Sequence, residues 1–156
     1  GGLVELVSSE MAKSSVRIET ALPATPLRVR MGANQLTQTL LNLLLNAQDA
    51  LPQGGVVRIV AEGRDGWARL SVSDDGVGIR PEDRARIFNP FFTTKGPRGT
   101  GLGLSVSESL VRAAGGRMDF TSEPGKGTTF QVELPVAGKV GIYREGTAVR
   151  AGVRDT

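Results

Sequence analysis

A chain of 156 residues, 39% of them apolar, is long enough for one domain with its own core. It has no cysteine and no histidine, which excludes disulfides, thiol chemistry, histidine metal ligands, a histidine general base and any phosphohistidine made within the chain. Its net charge of +3 comes without a clustered Lys/Arg run interleaved with aromatics, so no nucleic-acid face is expected, although the basic balance suits a polyphosphate.

In chain order, Leu3, Leu6, Val7 and Met11 recur at helical spacing and predict an amphipathic helix over residues 3–13. Val16, Ile18 and Leu22 predict a strand that stops at Pro23, and Leu27 to Met31 a short extended piece. The strongest helix signal spans 33–51, where Leu36, Leu40, Leu43, Leu44, Ala47 and Leu51 share one face before Pro52 and Gly54-Gly55. Strands are expected near 56–62 and 67–73, joined by Gly63-Arg64-Asp65-Gly66, a sequence with hairpin-turn chemistry. A short helix opened by Pro81 is expected over 81–87. Residues 89–103 contain two prolines and four glycines and predict a mobile loop. A helix over 104–114 should be capped by Gly115-Gly116, followed by strands near 117–122 and 128–134. This order predicts an α/β (α+β) two-layer sandwich, with helices on one face of a mixed sheet. The domain is expected over residues 1–136, and 137–156 form a linker or an added hairpin of unknown role. No segment has the pattern of a signal peptide or membrane span. A soluble, cytoplasmic piece is therefore expected, whether or not its parent protein is anchored in a membrane.

Four groups of residues are candidates for chemistry, each with a simpler alternative: an ordinary solvent-facing stripe for the first, a plain turn for the second, a surface loop for the third and core filling for the fourth. On the long helix, Gln38, Asn42, Asn46 and Asp49 fall on one stripe away from the leucine face. Two mid-helix asparagines cost about 1 kcal/mol relative to good helix formers, which suggests a use for neutral amide oxygens, hard ligands suited to Mg²⁺. After the strand ending Val72-Ser73 comes Asp74-Asp75-Gly76-Val77-Gly78-Ile79. A carboxylate there can accept from an exocyclic amine, and glycines permit close backbone approach; a plain Asp-Gly turn is the simpler alternative. Lys95-Gly96-Pro97-Arg98-Gly99-Thr100-Gly101-Leu102-Gly103-Leu104-Ser105 enters a helix, offering backbone N–H groups and two cations to an anion. It is neither a Walker A nor a GxGxxG fingerprint. Of the aromatics in Ile87-Phe88-Asn89-Pro90-Phe91-Phe92, Phe88 suits the core, whereas Phe91 and Phe92 suit the base of a moving lid.

Taken in order, these segments resemble the GHKL superfamily of ATP-binding domains, and within it the catalytic and ATP-binding domain of sensor histidine kinases. Asn42-Leu43-Leu44-Leu45-Asn46-Ala47 matches the N box, Asp74 to Ile79 the first glycine box, Phe88 to Lys95 the F box, Gly99 to Ser105 the second glycine box and Gly125-Lys126-Gly127-Thr128 the third. The resemblance covers about residues 3–135 and implies the Bergerat fold, with ATP and Mg²⁺ as ligands. It implies Asn46 as the Mg²⁺ ligand, with Asn42 and Asp49 in the same site and Asn42 supporting the phosphates. It implies Asp74 at the adenine amine, directly and through water, with Thr128 beside that water and Gly76, Gly78 and Ile79 lining the base. Gly99, Thr100, Gly101, Leu102, Gly103 and Leu104 would shape the lid, and Lys95 or Arg98 would reach the γ-phosphate.

The implied activity is transfer of the γ-phosphoryl to a histidine on a separate dimerisation and phosphoacceptor domain, with a response regulator downstream; Asn42, Asn46 and Lys95 would be the catalytic groups. Alternatives are a GHKL ATPase, an anti-sigma-like serine kinase, or a nucleotide-gated interaction module without transfer. The hydrolases generally carry a glutamate where this chain has Asn42. Three features depart from the family pattern. Gly32 stands where an aspartate often precedes the N-box helix, Asp75 adds a second negative charge near the base, and the phosphoacceptor helix pair is missing.

Overall fold

The computed structural model describes residues 9, 12–13, 15–23, 27–89, 103–136 and 146–149, with the backbone alone in the last segment. Most of the predicted helix over 3–13 and most of the predicted loop over 89–103 lie outside these residues; of the former, residues 9 and 12 are helical.

Strands β1 (Val16–Ala21) and β2 (Leu27–Arg30) precede helix α1 (Ala33–Asp49). Strands β3 (Gly55–Arg64) and β4 (Trp67–Asp74) follow, then a 3₁₀ turn (Pro81–Asp83), helix α2 (Gly103–Ala113), β5 (Arg117–Glu123), β6 (Gly127–Pro135) and β7 (Gly146–Val149). Five strands form one sheet in the order β1-β3-β4-β6-β5. Among the described residues, β1 and β3 pair in parallel and the other pairings are antiparallel, so the sheet is mixed. Strand β7 pairs antiparallel with β2 in a separate two-stranded sheet, so part of the tail after Pro135 lies against the strand that leads into α1.

The period-2 pattern of the strands decides which face is covered. Val57, Ile59 and Ala61 of β3, Ala68, Leu70 and Val72 of β4, and Phe130, Val132 and Leu134 of β6 are all buried. Against them lies the predicted apolar face of α1, with Leu36, Leu40, Leu43 and Leu44 at 0% exposure, and α2 adds Val111. The opposite sheet face carries charged pairs instead. Arg69 and Arg117 both donate to Glu133, and Arg58 donates to Glu19. The result is a two-layer α/β sandwich with one core.

Local rules account for the ends of these elements. Asp65 and Gly66 both have positive φ, 52° and 84°, as a two-residue hairpin turn of right-handed twist requires. At the end of α2, Gly115 is left-handed, its N–H donates to the Arg112 carbonyl, and the Gly116 N–H donates to that of Val111, which is a Schellman cap. Gly32 caps the start of α1 without a side chain, and Gln35 Oε1 accepts the Gly32 N–H at 3.3 Å, forming the reciprocal half of a capping box.

The helix expected over 81–87 is instead the 3₁₀ turn with further turns to Asn89. Asp83, Arg84, Arg86 and Asn89 each donate a backbone N–H three residues back. A segment this short gains little from α-helical propagation, and side chains fix it otherwise. The buried Asp83 carboxylate accepts from Arg80 Nε and from an Arg86 guanidinium nitrogen, each at 3.1 Å.

Candidate functional site

The C-terminal half of α1 carries Asn42, Asn46 and Asp49, and the turn after β4 docks on the end of that helix. The Val77 N–H donates to the Ala50 carbonyl at 3.0 Å. A Cβ on Gly76 would sit 2.2 Å from the same oxygen, so only glycine permits the approach. The turn is tied on three further sides. Gly125 donates to the Val77 carbonyl at 2.8 Å, Ile79 N–H donates to Ser122 Oγ at 2.8 Å, and Val56 N–H donates to Asp75 Oδ1 at 3.2 Å. Asp75, expected only as an extra charge near the base, thus anchors the turn to the start of β3.

Asp74 ends β4 directly opposite Thr128 of β6. Its Oδ1 accepts the Gly76 N–H at 2.9 Å. Burial pushes its pKa above the usual aspartate value; the N–H groups of Gly76 and Thr128 oppose the shift, and the Asp75 charge adds to it. Thr128 is buried, and its hydroxyl shares a 2.8 Å hydrogen bond with Ser122 Oγ, which donates to the Gly127 carbonyl. The structure therefore brings Asp74, Gly76, Gly78, Ile79 and Thr128 together around one turn. The missing side chains of Gly76 and Gly78 face the protein's own backbone, at Ala50 and Glu123 respectively.

Gly127 shows how narrow the tolerance is. Its φ is +125°, and a Cβ would lie 2.1 Å from the Asp74 carbonyl. Gly127→Ala should lose about 1–3 kcal/mol to backbone strain alone, with the clash added. The check is the urea midpoint of unfolding, and an unchanged midpoint would mean that the turn relaxes at no cost.

At the other end of the site, Asn42 is half-buried against α2. Its Nδ2 donates to the Gly103 carbonyl at 3.2 Å and to Ser107 Oγ at 2.9 Å. A carbonyl can only accept, so this contact fixes which amide atom is nitrogen. Asn46, one turn further on, is also half-buried, while Gln38 and Asp49 are exposed. Gly103 and Leu104 open α2. Lys95, Arg98, Gly99, Thr100, Gly101 and Leu102 lie outside the described residues, as do Phe91 and Phe92. Phe88 packs edge-on to Phe120 and Phe130, with centroids 5.9 and 6.4 Å apart, the core role expected of it.

Among the described residues, no cluster of acidic side chains is arranged to hold a metal ion. The donor set near α1 is one of amides. With its NH₂ committed, Asn42 keeps only an acceptor oxygen, and Asn46 offers another one turn away; such hard, neutral oxygens fit Mg²⁺ that already carries phosphates and water.

Two residues were not anticipated from the sequence. Ser122 faces Thr128 in the β5–β6 register, a pairing visible once the hairpin is drawn. Ser107 is fully buried on the stripe that runs Leu104, Ser107, Val111, where helical spacing calls for an apolar residue. That break in the pattern was the available signal.

Comparison with known proteins identifies the family of the chain. Residues 31–138 match the HATPase_c family, described as histidine kinase-, DNA gyrase B-, and HSP90-like ATPase, and the chain belongs to that family. Within it, the chain is 42% identical over 138 residues to the sensor histidine kinase ZraS of Klebsiella oxytoca, covering 87% of this chain and 29% of that protein. It is also 42% identical to the two-component sensor PprA of Pseudomonas aeruginosa, covering 87% of this chain and 16% of that one. The chain thus spans under a third of these relatives. Among solved structures, full-length ShkA in complex with AMPPNP superposes with a TM-score of 0.75 at 36% identity, covering 85% of this chain and 28% of ShkA. The catalytic domain of histidine kinase ThkA superposes with a TM-score of 0.75 at 32% identity, covering 84% of this chain and 86% of that domain. Among the described residues, no helix is long and apolar enough to cross a membrane.

Proposed function

We propose that this domain binds Mg²⁺–ATP and passes the γ-phosphoryl group to a histidine on a separate dimerisation and phosphoacceptor domain, as the kinase part of a two-component system with a response regulator downstream. The observation that carries this reading is the docking of the Asp74–Ile79 turn on Ala50, at the end of the helix that bears Asn42 and Asn46. In this reading a carboxylate acceptor and two amide oxygens border one site. The AMPPNP complex of ShkA supports a nucleotide as the ligand.

In this reading Asp74 accepts the adenine amine, with Thr128 beside it, and Gly76, Gly78 and Ile79 present backbone to the base. Asn46, with Asn42 and Asp49 near it, holds Mg²⁺, whose charge neutralises the phosphates. Lys95, Arg98 and the segment from Gly99 to Leu104 cover the phosphates. An imidazole is already nucleophilic, so the domain need only position the reactants and offset charge. A hydrolase would need a group to activate water. At position 42 this chain has an amide whose two hydrogens are both donated, and it cannot serve as a base.

The test supplies the dimerisation helix pair of the parent protein as a separate polypeptide with γ-labelled ATP. Acid-labile label is expected on that partner and not on its His→Ala variant, with little phosphate released by the domain alone. Steady phosphate release without labelling would replace the kinase with an ATPase. Binding with neither outcome would leave an interaction module.

A further inference from the structure

We infer that Ser107 is a positioning residue for the nucleotide site, because it forces Asn42 to present its amide oxygen alone. This rests on the Mg²⁺–ATP reading above and refines it. An asparagine amide has two N–H donors and one acceptor oxygen. The Gly103 carbonyl takes one donor of Asn42 at 3.2 Å, and Ser107 Oγ takes the other at 2.9 Å. Ser107 is 0% exposed, so its hydroxyl does not exchange Asn42 for water as a surface serine would. Phosphate oxygens need donors, and Asn42 has none left to give. Its oxygen therefore faces a cation or a water bound to that cation. The expected role of Asn42 in supporting the phosphates changes accordingly to a role on the metal side.

The same two bonds tie α1 to the first and second turns of α2. An alanine at 107 frees one amide hydrogen and allows the side chain to rotate away from the Gly103 carbonyl. The orientation of the Asn42 oxygen is then no longer set before the nucleotide arrives.

Calorimetry of ATP and NMR of the asparagine side-chain NH₂ groups, on Ser107→Ala, Ser107→Thr, Asn42→Ala and the Ser107→Ala/Asn42→Ala pair, test the inference. In the nucleotide-free protein, Ser107→Ala should shift the Asn42 NH₂ resonances, and Ser107→Thr should largely restore them. With Mg²⁺, Ser107→Ala should weaken ATP binding about three- to tenfold, as for one lost hydrogen bond, and in EDTA it should change little. In the Asn42→Ala background it should add nothing. An unmoved NH₂ signal, an equal loss in EDTA, or an additive loss in the pair would each overturn the assignment of Ser107. If instead the unsubstituted chain binds ATP no better with Mg²⁺ than without it, the metal-nucleotide reading itself fails, whatever the NMR shows.

Discussion

Replacing Asp74 with asparagine should weaken ATP binding by about 10–100-fold, the cost of losing a hydrogen bond to a charged acceptor, and should narrow the preference for ATP over GTP. A carboxylate accepts only, which suits the exocyclic amine of adenine and repels the carbonyl that guanine presents at the equivalent place. Asparagine offers either an oxygen or an NH₂ and discriminates less. The pH dependence follows from burial, which raises the pKa of Asp74. The amine binds best to the ionised form, so ATP affinity should fall on the acid side at a pH above that of an ordinary aspartate, and Asp74→Asn should flatten this limb. The effect on folding has the opposite sign. A carboxyl whose pKa is raised in the folded state disfavours folding when ionised, and that penalty is relieved as pH falls from the raised value to the ordinary aspartate value. Acid loss of binding would therefore occur without stability lost through this group. Titration calorimetry across pH on both proteins is the check, and ATP affinity in Asp74→Asn equal to that of the parent would remove the adenine contact.

The second large effect is expected at Asn46. Asn46→Ala should reduce ATP affinity by about 10–100-fold with Mg²⁺ present, again the scale of a contact to a charged partner. In EDTA the two proteins should bind alike, because an amide oxygen has little to offer a bare phosphate. Asn46 is only half-buried, so alanine, a better helix former, should leave the domain folded. An equal loss in EDTA would move Asn46 from the metal to the phosphates or to the fold.

The fold was largely legible in the sequence because its signals are local and periodic. The leucine face of α1, the Asp65-Gly66 turn and the Gly115 cap each follow from a few neighbouring residues. The 3₁₀ turn was not legible, since its form depends on side chains closing on Asp83. At the site, motif order pointed to Asp74, Asn42 and Thr128 but not to their partners. That Asn42 spends its NH₂ on α2, or that Asp75 holds the start of β3, depends on contacts between segments far apart in the chain, and no spacing rule reports those. The glycines were expected where backbone meets a base. Gly76, expected to line the base, meets the protein's own Ala50 carbonyl, and Gly127 meets that of Asp74; these contacts alone demand glycine, a need that the sequence does not reveal.

The anchoring of the Asp74 turn has a thermodynamic consequence. Its supports come from the end of α1, the start of β3 and the β5–β6 connection, so the cradle needs elements from both halves of the sheet to be assembled at once. A ligand that requires it distinguishes the complete domain from every partly folded form. Bound nucleotide then acts as a folding ligand through mass action, at about 2.7 kcal/mol for a concentration of one hundred dissociation constants, and cellular ATP would help to keep the domain intact.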